Sequence, residues 1–290
     1  MDKIIEHGRA KVNLTLDVTS KLPNGYHEVD MVMHQIDLYD VITINKNKVA
    51  KVRLQNSVKY LPTDKTNIAF KAAMIIRERY NIDEGVDIYI EKNIPVSAGM
   101  AGGSTDAASV IKGMNKLFDL NMSIDDMLGI GLQIGADVPF CILGGCYIAR
   151  GIGEQLTPID SKLESWLVVA KPNIGVSTRE VYRNLDVDNI KNHPDTFKMQ
   201  EAVESGNTYS VVKNLRNVLE DVTTKMHPII FDIKSRMMEY GAIGEMMSGS
   251  GPTVFGFFKT KEKATRACAN MKRKYPQSYV VRLYGKRNEL

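Results

Sequence analysis

No apolar run in this chain approaches the roughly 20 residues that a membrane-spanning helix needs. The first residues, Met1-Asp-Lys-Ile-Ile-Glu-His-Gly8, also lack the apolar stretch of a secretory signal, so a cytoplasmic protein without a membrane partner is expected. Cysteine is scarce. Cys141, Cys146 and Cys268 form no C-x-x-C pair and have no zinc-like spacing against the five histidines, which argues against a disulfide framework and a structural zinc site. Three buried thiols are expected instead. An excess of one charge is missing too: 38 basic and 34 acidic residues leave a net +4, and the basic ones are scattered. Their one cluster, Lys272-Arg273-Lys274, suits the solvated end of a helix better than a nucleic-acid surface. Neither a solenoid-period repeat nor a low-complexity segment is found. What remains is a globular chain, 43% hydrophobic and 25% charged over 290 residues, long enough for one large or two ordinary domains.

Periodicity then places the elements. In Val12-Asn-Leu-Thr-Leu-Asp-Val18 apolar and polar residues alternate as in a half-buried strand, so Lys11 and Asn13 are expected together on the face away from the core. Pro23-Asn-Gly25 marks a turn. Residues 66–80 carry a helical stripe, and Val86, Ile88 and Ile90 alternate as a strand running into Pro95. A helix is expected from Ser104, with Ala107, Ile111, Met114 and Phe118 on one side. Ser123 and Asp126 have capping-box spacing for the next helix, which Gly135 ends. After Asp137 an apolar strand is expected over about 140–149. The polar stretch from Gly151 to Lys162 separates a half spanning 1–158 from one spanning 159–290. The second half holds a strand at 166–170, several helices over 178–240, a glycine-rich loop at 248–252, a strand at 254–258, a helix at 261–274 and a strand at 279–283. Strands and helices are intermixed without strict alternation, which indicates an α+β protein of two lobes. The fifteen methionines suit flexible core filling.

Chemistry concentrates at residues 95–105: Pro95, Val96, Ser97, Ala98, Gly99, Met100, Ala101, Gly102, Gly103, Ser104 and Thr105. A strand enters, small residues turn, and a helix leaves. A helix start presents unpaired N–H groups and the positive end of the dipole, and glycines let the backbone approach an anion's oxygens. The loop is neither a Walker A motif nor a Rossmann fingerprint, and composition alone leaves an ordinary tight turn with a Ser cap open. Asp106 would repel a phosphate if it pointed inward, so it is expected on the outer side of the helix, complementing the dipole.

The loop resembles the central motif of the GHMP kinases (galactokinase, homoserine kinase, mevalonate kinase and relatives), Pro-x-x-x-Gly-Leu-Gly-Gly-Ser-Ser. Two further motifs of that family occur in order, Ala10-Lys-Val-Asn13 and Met247-Ser-Gly-Ser-Gly-Pro252. The branch whose acceptor is 4-diphosphocytidyl-2-C-methyl-D-erythritol is matched by Ala-Lys-Val-Asn-Leu-Thr-Leu at 10–16, Gly-Tyr-His-Glu at 25–28, Gly-Ala-Asp-Val-Pro-Phe at 135–140 and Lys-Pro-Asn at 171–173. The sequence departs from the common loop at Met100, where Leu is usual, and at Ala101, where Gly is usual. Ala101 would be strained if that position needs a positive φ.

The resemblance implies the two-lobed GHMP fold with its active site in the cleft, and ATP, carried with Mg²⁺, as phosphate donor. The protein ligands of Mg²⁺ stay unassigned. It implies Asp137 as catalytic base and Lys11 as its electrostatic partner. The acceptor, a cytidine diphosphate derivative used in non-mevalonate isoprenoid synthesis, would be read by Tyr26 and His27. Tyr182 would be a second aromatic against cytosine, and Asn13 and Asp137 would hold the erythritol hydroxyls. Asn67 and Lys92 match positions near adenine, and the loop at 248–252 would close over the phosphates. Without the family, Asp137 suits a turn, Lys11 an exposed strand and Tyr182 a helix core. The competing readings are a GHMP kinase for homoserine or a mevalonate derivative, and a nucleotide-binding regulator without catalysis. A monomer or homodimer without a nucleic-acid partner is expected.

Overall fold

The structure, a computed structural model, describes residues 1–285. Two long antiparallel strands, β1 (Lys3–Lys21) and β2 (His27–Asn47), set the frame. The turn between them closes with Leu22 N–H donating to Tyr26 O (2.8 Å) and Gly25 N–H to Leu22 O (3.0 Å), with Gly25 at φ 84°. Beyond β2 come β3 (Val52–Asn56), α1 (Ile68–Arg79), β4 (Gly85–Glu91), α2 (Gly102–Leu117), α3 (Ile124–Ile134), α4 (Val138–Leu143), β5 (Cys146–Arg150) and β6 (Gln155–Pro158). The second half follows with β7 (Trp166–Lys171), α5 (Thr178–Arg183), a 3₁₀ turn, α6 (Thr196–Glu204), α7 (Thr208–Lys213), β8 (Arg216–Asn217), α8 (Glu220–Met226), α9 (Ile229–Glu239), β9 (Gly244–Met247), β10 (Val254–Phe258), α10 (Lys261–Lys272) and β11 (Gln277–Arg282).

Strands β3-β4-β2-β1-β8 form the main path of one sheet, with β5 on β2 and β6 on β5; β11-β7-β10-β9 form the second. The short parallel pairing of β8 with β1 joins the second half to the first sheet. Alternation along β10 explains why the second sheet has two apolar faces. Phe255 and Phe257 pack with Leu167, Val169 and the β1 residues Val12 and Leu14, whereas Val254 and Phe258 pack with Met237, Ala264 and Ala267 of the covering helices. Both Phe255 and Phe257 are fully buried, so truncating either to Ala would cost about 3–5 kcal/mol.

The alternation expected in β1 is interrupted. A register shift between Asn13 and Thr15 is a β-bulge, and it moves Leu16 and Val18 to the face opposite Val12 and Leu14. Lys11 and Asn13 do share a face, but that face is not solvent-facing, because α2 packs over it and both residues are buried. Residues 138–143 are helical rather than extended. The apolar run is too short to carry a period, and Pro139 in the first turn supplies a helix-start φ instead of a ladder N–H. The strand begins only at Cys146. Helix α2 starts at Gly102, with Ala101 at its N-cap position making no side-chain cap bond, so Ser104 lies inside the helix and is not its cap. The Ser123–Asp126 capping box is present in both directions. All three cysteines are buried, and Lys272-Arg273-Lys274 closes α10, with Lys274 Nζ 3.0 Å from Asp232. Among the described residues no helix is long and apolar enough to cross a membrane.

Candidate active site

Between β4 and α2 the backbone alternates in hand: Ser97, Gly99 and Ala101 have positive φ (51°, 70° and 58°), and the residues between them do not. Such alternation curls successive N–H groups into a concave anion-binding nest. It continues into the start of α2, whose first amides have no partner within the helix. Ala101 thus occupies the left-handed region that glycine enters freely and alanine does not. Gly99 is required twice over, because a Cβ there would lie 2.3 Å from Ser248 O. The second glycine-rich loop presses against the first at this point, with Ser248 Oγ donating to Gly99 O at 2.9 Å. Asn217 holds that second loop, donating through Nδ2 to Met247 O and Gly249 O at 2.8 Å each while its Oδ1 accepts from Leu219 N–H.

Asp106 points inward, contrary to the expectation from its charge. From Thr105 to Met114 every residue of α2 is buried, so no outer side exists at this position. Its Oδ2 accepts from Lys92 Nζ at 2.7 Å, and Lys92 also donates to Asp40 Oδ2. Asp40 Oδ1 in turn accepts the backbone N–H groups of Asn93 (2.6 Å) and Ile94 (2.8 Å). Burial pushes the Asp106 carboxyl well above the usual range, against the pull of Lys92, and the Asp40 charge adds to the rise. Burial alone would depress Lys92, yet the two carboxyls raise it. One ammonium offsets one carboxylate. Asp40 has two backbone donors besides Lys92, whereas Asp106 has Lys92 alone, and its Oδ1 is left without a hydrogen-bond partner toward the cavity.

Lys11 enters from β1, its N–H donating to Met100 O at 3.2 Å. Its Nζ donates to Asn13 Oδ1 at 2.6 Å and stands 4.0 Å from Asp137 Oδ2. Asp137 is the residue before α4, and its side chain is one-third exposed and spends nothing on capping that helix. The carboxylate is therefore open to a ligand while a buried ammonium stands beside it.

The β1–β2 turn presents Tyr26, 59% exposed, and His27. The His27 ring lies 5.0 Å from the Tyr182 ring at a 41° tilt. Partial burial and the charge of Lys21 lower the His27 pKa, so the imidazole is neutral at pH 7. Burial, with the nearby Asp137 carboxylate, keeps the Tyr182 phenol protonated. Helix α5, which carries Tyr182, starts at a Ser177 cap and is tied to the second loop by Thr178 Oγ1 and Ser250 Oγ at 2.8 Å.

These groups gather around one cavity of about 1090 Å³. Its wall takes in residues 95–104 of the loop, Lys11, Asp137, Tyr26, His27, Tyr182, Asn67 and Lys92. Two expected residues stand behind the wall. Asn13 is wholly buried against Lys11 and Met31, and Thr105 is buried with its N–H on Ala101 O. Asn67 lines the cavity as the cap of α1, its Oδ1 accepting from Ala69 N–H and its Nδ2 donating to Pro62 O. Lys92 lines it with its ammonium committed to Asp40 and Asp106. Sequence reasoning missed Asp40, which has no local signal, and also Arg179 and Arg183, whose i,i+4 spacing around Tyr182 was a readable one.

Residues 67–145 match the model of the GHMP kinases N terminal domain, and residues 199–277 that of the GHMP kinases C terminal. The chain is 49% identical over 287 residues to the 4-diphosphocytidyl-2-C-methyl-D-erythritol kinase of Alkaliphilus metalliredigens, with 99% of each chain covered. It is 50% identical over 291 residues to the enzyme of that name from Alkaliphilus oremlandii, with both chains covered in full. A crystal structure of 4-(cytidine 5'-diphospho)-2C-methyl-D-erythritol kinase superposes with a TM-score of 0.84 at 29% identity, covering 98% of this chain and 100% of the other. A homoserine kinase structure from Cytophaga hutchinsonii shares the fold, with a TM-score of 0.77 at 18% identity and 98% and 95% of the two chains covered.

Proposed function

The chain belongs to the GHMP kinases, and on that premise we propose that it transfers the γ-phosphate of ATP to the 2-hydroxyl of 4-diphosphocytidyl-2-C-methyl-D-erythritol, a step in making isoprenoid precursors. One observation carries the reading: a single cavity is bordered by the anion-binding loop, the Lys11–Asp137 pair and the His27–Tyr182 ring pair. The near-full-length relatives supply the acceptor's identity.

ATP lays its phosphates along the 97–104 backbone, where amides and the helix start meet negative charge without side-chain cost. The second loop closes the far side of this cradle through Ser248 and Gly99. Asp137 takes the proton of the acceptor hydroxyl, and the freed oxygen attacks the γ-phosphorus as the bond to the bridging oxygen of ADP breaks. The Lys11 ammonium, held in place by Asn13, stabilises the charge that develops on that oxygen. Cytosine lies at the neutral His27 and the Tyr26 and Tyr182 rings, which offer a hydrogen-bonding edge and stacking faces.

Mg²⁺ reaches such enzymes on the nucleotide phosphates, where it neutralises charge. Among the described residues no group of three or more potential ligand side chains forms a cage for it. The oxygen-bearing side chains at the loop-to-helix junction that would face it are Ser104 and Asp106, whose Oδ1 is buried without a hydrogen-bond partner.

The test is ADP release with Mg²⁺, measured in parallel with the cytidine acceptor, homoserine and mevalonate. Stimulation by the cytidine acceptor alone is expected. Stimulation by another acceptor would keep the kinase and discard this substrate, and silence with all three, from protein that binds ATP, would favour a regulatory binder.

A further inference from the structure

The acceptor end of the cavity has a charge problem that the residues discussed so far do not solve. A diphosphate diester carries about two negative charges at pH 7, and strong recognition of such a group takes cations in hydrogen-bonding reach. Tyr26 and Tyr182 bring no charge, His27 is neutral, and Asp137 is an acid. Lys11 is occupied by Asn13 and Asp137. Lys21, whose charge reaches His27, lies on the hairpin and not in the cavity wall.

Helix α5 supplies what is missing. Arg179 and Arg183 both line the cavity and are exposed, and their guanidiniums make no hydrogen bond or ion pair among the described residues. At about 100° per residue, Arg179, Tyr182 and Arg183 fall within an arc of about 100°, while Val181 on the other side is fully buried. The face that carries the ring against His27 therefore also carries two open guanidiniums, one turn apart. In the acceptor only a ribose separates cytosine from the diphosphate, so a base held at His27 and Tyr182 leaves its phosphates beside this helix.

We propose that Arg179 and Arg183 form a guanidinium pair that binds the diphosphate of the acceptor, so that the cavity selects alcohols carrying a diphosphate next to a pyrimidine nucleoside. This rests on the acceptor assignment above and names the part of the site that reads the diphosphate. The pair faces the acceptor and not ATP, because the ATP phosphates already have the loop amides, and α5 shares its exposed arc with the ring against His27.

The experiment measures binding of CDP and of cytidine by calorimetry, with the donor site saturated by a non-hydrolysable ATP analogue. Arg179→Ala, Arg183→Ala and the double variant are compared with the intact protein, alongside Lys21→Ala. The intact protein is expected to prefer CDP over cytidine by about a hundredfold, and each single variant to lose about tenfold of that preference. The double variant should bind the two alike, and Arg→Lys at both positions should restore part of the preference as a point charge without the fork. KM for the acceptor should rise in step, with KM for ATP moving less than about threefold. An unchanged CDP preference in the double variant would overturn the proposal, as would a loss that falls on the ATP analogue or follows Lys21→Ala. Because both arginines are exposed, circular dichroism should show the variants folded. If the intact protein turns over the acceptor while the double variant keeps its CDP preference, only the arginine pair fails. If the intact protein ignores the acceptor, the acceptor assignment itself fails.

Discussion

The two ends of the cavity are built in opposite ways. At the phosphate end, the groups that shape the site are buried and committed to one another: Asp40, Lys92 and Asp106 interlock, Gly99 touches the second loop, and Ala101 is held at φ 58°. At the acceptor end Tyr26, Arg179 and Arg183 are exposed, and the two guanidiniums have no protein partner among the described residues. The difference teaches how each end obtains its affinity. A nest of backbone amides works only if its curvature is fixed before the ligand arrives, so its bracing is internal and dry. Side chains that await a ligand keep their hydrogen-bonding capacity unspent, at the cost of being ordered when it binds.

If the phosphate end is braced as described, the largest effect should come from Asp40→Ala. It would leave the backbone N–H groups of Asn93 and Ile94 without their acceptor, take from buried Lys92 one of its two carboxyl partners, and cost about 3–5 kcal/mol in urea unfolding. A loss below about 1 kcal/mol would mean that the interlock is not structural. The frame and the acceptor end should also differ in their response to acid. His34 is fully buried, its Nδ1–H donating to Gln35 O and its Nε2 accepting from Ser161 Oγ, and burial lowers its pKa to about 4. The unfolded chain therefore binds a proton that the native one refuses between about pH 6.5 and 4. Stability should fall through that window by about 3 kcal/mol as pH drops, and the slope should be shallower in His34→Gln. His27 is only partly buried, so its protonation below pH 6.5 should appear in binding. kcat/KM for the acceptor should drop as His27 takes up its proton in acid, at a pH below the ordinary histidine value, with KM for ATP flat. Parallel changes in both KM values would blur the division between the ends. The smallest effect is expected at Ala101→Gly. Releasing the left-handed strain should raise stability by about 1 kcal/mol, seen as a higher Tm, and a lower Tm would contradict the strain.

How far the sequence was legible follows the same division. Local signals carried their elements well: the capping box at Ser123, the turn at Gly25, and the strand-to-helix junction at 95–105. The Lys11–Asn13 face could be read from alternation. The bulge that sends Leu16 to that face could not, because both registers satisfy the same apolar pattern. Asp40 was invisible, since its partners lie more than fifty residues away and meet it only across the sheet. Asp106 was set on the wrong side because its charge was weighed without Lys92, and only the fold brings the two together. Residues 138–143 were ambiguous by length, although Pro139 carried a helix-start signal.

The central claim is that Asp137, beside Lys11, removes the proton of the acceptor hydroxyl in a cavity whose two ends hold the ligands independently. Single-turnover phosphoryl transfer by Asp137→Asn, with ATP and acceptor saturating, tests it most directly. Transfer slowed by at least about a hundredfold, with CDP and the ATP analogue binding as in the intact protein, is the predicted result. Transfer at a near-normal rate would contradict the claim.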